Sequence, residues 1–136
     1  MKKGILQARI RRNGLAKLAG NYYLDEDAGL VNQLNSSKKG ALIGIQRADG
    51  VYTVLGEERI YYLTPSGVEG EIAIGDFLVI LRQNALSLGK KAPYEFIEIS
   101  EREFIWVMNG EVMNALWNTL LLLHGDPAQE FTKPSS

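Results

Sequence analysis

Residues 41–63 read ALIGIQRADGVYTVLGEERIYYL, and the way this stretch pairs with itself decides the fold. Residues 41–45 are apolar apart from Gly44, residues 51–55 are β-branched and aromatic, and residues 59–63 contain Ile-Tyr-Tyr-Leu. Side chains of this kind suit a pleated, half-buried surface. Asp49-Gly50 separates the first two runs, and glycine tolerates the positive φ that a tight hairpin demands. Gly56-Glu57-Glu58 makes the next turn. Three short strands joined by short turns predict an antiparallel meander.

Downstream, Thr64-Pro65-Ser66-Gly67 places proline where a β-turn needs its fixed φ. Ile72-Ala73-Ile74, the pair Gly75-Asp76 and residues 77–81 read as a second two-residue hairpin, with a longer loop over 83–93. Residues 94–99 and 103–108 are two further strands joined through Ser100-Glu101-Arg102. Over 110–124, Met113, Leu116, Trp117, Leu120 and Leu121 follow helical spacing. Asn109 is a suitable N-cap for that helix, and Gly125 and Pro127 end it.

Upstream, Asp25 and the stripe Leu30, Val31, Leu34 predict a short helix over 25–36. Residues 6–11 alternate apolar and polar side chains, which reads as a strand or extended arm. The expected architecture is therefore α+β and mainly β: a bent antiparallel meander, as a small barrel or sandwich. It carries a C-terminal capping helix and a short N-terminal helix. One β-rich domain spans 25–125, preceded by a basic arm, 1–24, and followed by a mobile tail, 126–136.

The chain has 136 residues and a net charge of −1, unevenly spread. Residues 1–24 hold Lys2, Lys3, Arg9, Arg11, Arg12 and Lys17 and no acid, which is +6; the remainder carries nine bases and sixteen acids, which is −7. Such an arm seeks an anionic partner or folds back on an acidic body. These six bases are the candidate partner-binding residues. With no cysteine, disulfides and thiolate zinc sites are excluded. No stretch resembles a signal peptide or a membrane span, so a cytoplasmic location is the expectation.

Chemistry-bearing motifs are scarce. His124 is the only histidine and sits in a last helical turn, where it meets terminal carbonyls. Glu57, Glu58, Glu69, Glu71 and Asp76 read as a solvated face, as do Glu95, Glu98, Glu101 and Glu103, although the latter run also suits a basic partner. The glycines do not spell a phosphate loop. Tyr22-Tyr23 and Tyr61-Tyr62 are candidates for base stacking, but adjacent strand residues face opposite ways, so core packing is the preferred reading. Trp106 and Trp117 are assigned to the core. No cofactor or metal is expected, and no catalytic residue is assigned.

From Lys38 to Leu123 the order of features resembles a pleckstrin-homology-like domain. Lys39-Gly40 opens a first strand, Tyr52-Thr53-Val54-Leu55 matches a second, Arg59-Ile60-Tyr61-Tyr62 a third and Gly70-Glu71-Ile72 the start of a fourth, with Trp117 as the helix aromatic. The resemblance implies a bent sheet capped by a C-terminal helix, serving protein interaction. The first two strands offer only Lys38, Lys39 and Arg47, fewer bases than phosphoinositide-binding members place there, which counts against a lipid headgroup. The expected function is a non-enzymatic protein-interaction module: a component of a larger assembly, or an inhibitor or immunity-type binder. Its partner is another protein or a second copy. The alternative is a small-barrel nucleic-acid binder, with the basic arm on phosphates and Lys38, Lys39, Lys90 and Lys91 in the groove.

Overall fold

The computed structural model of the chain describes residues 14–88, 95–101 and 103–124. Successive side chains of a strand face opposite ways, and here both faces of the sheet are apolar. In β3 (Tyr52–Gly56), Tyr52 and Val54 enter one buried cluster and Leu55 another. In β4 (Arg59–Leu63), Tyr61 joins the first cluster, and Ile60 and Tyr62 the second. β2 (Ala41–Gln46) breaks the alternation once. Its register shifts between Ala41 and Ile43, so Ala41 lies with Tyr52 while Leu42, Ile43 and Ile45 all lie with Leu55. One extra residue in a bulge produces this change of face.

With β1 (Tyr23–Leu24) and β5 (Glu69–Ala73), these strands form a five-stranded antiparallel sheet in the order β1-β2-β3-β4-β5. The predicted meander over 41–63 is therefore its centre, with Ile45 opposite Thr53 and Val54 opposite Tyr61. Among the described residues β5 does not pair back onto β1. A separate two-stranded sheet joins β6 (Phe96–Ser100) and β7 (Glu103–Trp106).

A sheet with two apolar faces needs two covers. On one side α2 (Gly29–Asn35) lays Val31 and Leu34 over Ala41, Tyr52, Val54 and Tyr61. Asn35 locks its end to the sheet, accepting from the Ala41 N–H (2.6 Å) and donating to the Ala41 carbonyl (2.9 Å). The larger core on the other side is filled by α1 (Leu15–Ala19), α3 (Ile74–Leu88), α4 (Gly110–His124) and the β6–β7 hairpin. Leu15, Phe77, Leu81, Ile97, Ile105, Leu116 and Leu120 are no more than 1% exposed there.

Three expectations are corrected. The hairpin expected at Gly75-Asp76 is the first turn of α3, and the loop expected over 83–93 is helical as far as Leu88. The period explains why. Ile74, Phe77, Leu78 and Leu81 are all buried and follow a spacing of three, four and seven, whereas a strand would have buried Val79, which is 55% exposed. Second, α2 starts at Gly29 rather than at residue 25. Asp25 Oδ1 accepts from the Asp27 N–H (2.9 Å), closing a turn before the helix, and Ala28 precedes the helix without a side-chain cap. Third, residues 14–24 are packed structure and not an arm: Leu15 and Ala19 are core residues, and a 3-10 turn (Gly20–Tyr22) leads into β1. Residues 1–13, the predicted loop residues 89–93, Tyr94 at the start of the next predicted strand, and the predicted tail 126–136 lie outside the described residues.

The C-terminal helix has the predicted bounds, Gly110–His124. Asn109 Oδ1 accepts from the Val112 N–H at 2.8 Å, as an N-cap should. Asn109→Ala is expected to cost about 1 kcal/mol of stability, measured as a lower urea midpoint; an unchanged midpoint would show that the cap contributes nothing. Trp106 is buried, and Trp117 is partly buried against the same core.

Candidate functional site

One face of the β6–β7 hairpin is buried throughout, and the other is buried at Trp106 and open at Glu98 and Phe104. Ile97 and Ile105 are cross-strand partners and fully buried. The opposite face carries Phe96, Glu98 and Phe104, with Glu98 directly across from Phe104. Burying one face in this way exposes the other, and here the other is partly aromatic.

Specific bonds hold the hairpin against the sheet. Thr53, in the central strand, donates its hydroxyl to the Trp106 carbonyl (2.6 Å, buried). Tyr62 crosses over Gly70, where a Cβ would stand 2.6 Å from its ring, and donates to Glu103 Oε2 (2.6 Å). Arg47, from the β2–β3 turn, sits 5.8 Å from the Phe96 ring centroid and 5.9 Å from that of Trp106. It also pairs with Asp49 (2.6 Å) and Glu95 (3.7 Å). That hydrogen bond from Arg47 lowers the Asp49 pKa. Tyr22 completes the corner, packing edge-on against Trp106 with centroids 5.7 Å apart.

What remains open is a shallow apolar hollow of about 270 Å³ lined by Pro65, Phe96 and Phe104. Phe104 is 39% exposed, and Pro65 comes from the turn between β4 and β5, thirty residues upstream. Glu95, Glu98 and Glu101 of the same hairpin are exposed. Residues 95–106 hold four glutamates and one arginine, a net −3.

A second concave surface lies on the α2 side of the sheet. One hollow of about 410 Å³ is lined by Lys38, Lys39, Glu57, Glu58, Arg59, Tyr61 and Glu71 among others. A neighbouring hollow of about 310 Å³ shares Lys39, Tyr61 and Glu71 and adds Tyr52 and Glu69. Its charges are largely satisfied internally. Arg59 pairs with Glu71 (3.7 Å), Lys39 Nζ lies 5.2 Å from the Tyr61 ring centroid, and Tyr52 donates to Glu69 (3.1 Å). Three bases against four acids, several already paired, present no dominant sign to a ligand.

Burial, reinforced by the acceptor carboxylates Glu69 and Glu103, pushes the Tyr52 and Tyr62 hydroxyls up to about 12. The fold thus favours their protonated forms. The stabilisation is complete below the unfolded value near pH 10 and is lost as the pH rises towards 12. Urea midpoints are expected to hold to about pH 9.5 and to fall between pH 10 and 12, with a shallower fall in Tyr62→Phe. An identical slope in that variant would show that Tyr62 does not carry the effect.

Of the predicted partner-binding residues, Lys2, Lys3, Arg9, Arg11 and Arg12 lie outside the described residues. Lys17 is exposed in the last turn of α1, where its charge faces the negative helix end. Lys38 and Lys39 are brought together with glutamates rather than with other bases, and Lys90 and Lys91 lie outside the described residues. Tyr61 and Tyr62 are 5% and 4% exposed, so neither presents a ring for stacking. Among the described residues no group of three or more His, Cys, Asp or Glu could hold a metal ion, and no helix is long and apolar enough to cross a membrane.

The hollow on the hairpin was not identified from the sequence. Its acids stood out as a run, but Phe96 and Phe104 read as ordinary strand aromatics. The available signal was the contrast between Phe96-Glu98 on one face of β6 and Ile97 on the other. Pro65 carried no signal at all. No family model, curated protein or solved structure matches this chain.

Proposed function

We propose that the protein is a non-enzymatic interaction module that docks a basic, partly apolar protein segment on the outer face of the β6–β7 hairpin. The observation that carries this reading is the convergence of Phe104, Phe96 and Pro65 in one open hollow, with Glu98 directly beside Phe104. Single exposed apolar residues are ordinary. An aromatic centre with a charged rim is the anatomy of a protein interface, where buried aromatic anchors supply most of the binding energy. The rim glutamates select a basic partner and speed its approach.

This reading suits a cytoplasmic component of a larger assembly, or an inhibitor or immunity-type binder. It is also the class of role implied by the likeness to pleckstrin-homology-like domains. The nucleic-acid alternative has less support, because an acidic hairpin repels a polyanion and Tyr61 and Tyr62 are buried. A labelled eight-residue peptide alternating Arg and Leu, titrated by anisotropy into the full chain, tests the proposal. Saturable binding is expected, at least about tenfold weaker in Phe104→Ala and in Glu98→Lys, and weaker as salt rises. No binding, or equal affinity in both variants, would overturn it. Binding of a labelled oligonucleotide in place of the peptide would favour the alternative.

A further inference from the structure

We infer that the outer edge of β5 takes up an extended, basic segment of another protein as a sixth strand of the sheet. β5 ends the five-stranded sheet, and among the described residues no strand pairs with its outer side. None of its residues lines the hairpin hollow.

The ladder between β4 and β5 shows which main-chain groups face outward. Hydrogen-bonded pairs alternate along an antiparallel ladder. The Thr64 N–H donates to the Val68 carbonyl (2.9 Å) at one end, and the Ile74 N–H to the Glu58 carbonyl (3.1 Å) at the other. The register between them is unbroken, so Tyr62–Gly70 and Ile60–Ile72 are bonded pairs as well. The N–H and carbonyl groups of Glu69 and Glu71 therefore point away from β4. Such a row of donors and acceptors is the footing on which an added strand builds its affinity.

Side chains decide which strand fits. Ile72 packs against the larger core, and Gly70 lies under the Tyr62 ring on the same side. Glu69 and Glu71 face the other side, are exposed, and line the hollow of about 310 Å³ with Tyr52 and Tyr61. Lys38, Lys39 and Arg59 balance the acids of that surface as a whole, but both charges on the edge strand itself are negative. Arg59 stands one strand inward, 3.7 Å from Glu71, with both side chains about half exposed. A pair of that kind contributes little and leaves Glu71 able to meet a second base. A residue directly opposite Glu69 or Glu71 on an added strand shares their face, so Lys or Arg there is attracted and Asp or Glu repelled. A second copy is rejected on the same ground, since pairing β5 with its own counterpart sets glutamate beside glutamate.

A labelled eight-residue peptide alternating Lys and Thr, which lacks large apolar anchors for the hairpin hollow, tests the edge by anisotropy against the full chain. Laid antiparallel with lysines opposite Glu69 and Glu71, it bonds through its lysine amides and leaves its threonine amides to solvent. Saturable binding is expected, at least about tenfold weaker when the lysine amides are N-methylated and little changed when the threonine amides are. Glu69→Lys with Glu71→Lys should lower affinity at least about tenfold. Glu71→Pro should weaken binding too, because proline is accommodated on an edge strand whose N–H faces out but cannot donate. Absence of binding, or equal affinity of the two methylated peptides, would overturn the sixth strand, and the peptide comparison decides the matter should Glu71→Pro fail to fold. Binding lost in Phe104→Ala and kept in Glu71→Pro would move the peptide to the hairpin. Self-association of the full chain that Glu71→Pro abolishes would give the edge to a second copy. Either result overturns the proposal as well.

Discussion

Phe77→Ala should lower the unfolding free energy by about 3–5 kcal/mol, a large part of the total for a domain of this size. Phe77 is 1% exposed and sits on the inward stripe of α3, between Ile74 and Leu81. Removing its ring deletes buried apolar surface and leaves a cavity that the sheet on one side and the helix on the other cannot fill. Val79→Ala, two residues along, is the control. Its side chain is 55% exposed, and the change should fall within about 0.5 kcal/mol of the parent. A strand over these residues would place Phe77 and Val79 on one face, and both substitutions would then weigh alike. Urea unfolding followed by far-UV dichroism measures the contrast, and equal losses would refute the helix.

Gly44 carries the other large effect. It pairs with Val54 in β3 and with Leu24 in β1. A Cβ added there would run into the Thr53 carbonyl and stand 2.8 Å from Val54 Cα. Those neighbours are backbone of the adjoining strand, so nothing flexible can give way, and β2 and β3 would have to separate or slip. Gly44→Ala should cost about 1–3 kcal/mol, and Gly44→Val enough to keep the protein out of the soluble fraction. Gly29→Ala should have the opposite sign. It lies at the start of α2 with nothing within 4 Å of an added Cβ, and the better helix former should add about 0.5–1 kcal/mol. Thermal midpoints of the two alanine variants give the comparison, and two shifts of the same sign would contradict this account.

The central strands were legible because their information is local. Short apolar runs, Asp49-Gly50, Glu57-Glu58 and Thr64-Pro65-Ser66-Gly67 specify turns through backbone preferences that hold in any context. Gly50 and Gly67 do adopt positive φ, 98° and 89°, and the Gly67 N–H donates to the Thr64 carbonyl at 2.9 Å. The helix at Gly110–His124 was legible for the same reason, through its period and its cap.

Gly75-Asp76 misled because a turn-forming pair is also compatible with the first turn of a helix, where Asp76 meets the positive dipole. Only the four-residue spacing of Ile74, Phe77, Leu78 and Leu81 separates the two, and it lies in an apolar run where both periods find matches. The bulge at Leu42 was invisible for a related reason. A run apolar at nearly every position leaves its facing open until a partner strand sets the register.

By itself, then, the sequence determined the meander, its turns, the terminal helix and the charge contrast between residues 1–24 and the rest. Each of these follows from side-chain type and short-range spacing. Tertiary structure alone decided that α3 replaces a hairpin, that residues 14–24 join the body, and which face of β6–β7 stays open. That last outcome depends on Thr53, Tyr62 and Arg47 gripping the hairpin from strands and turns more than thirty residues away, contacts that no local pattern encodes.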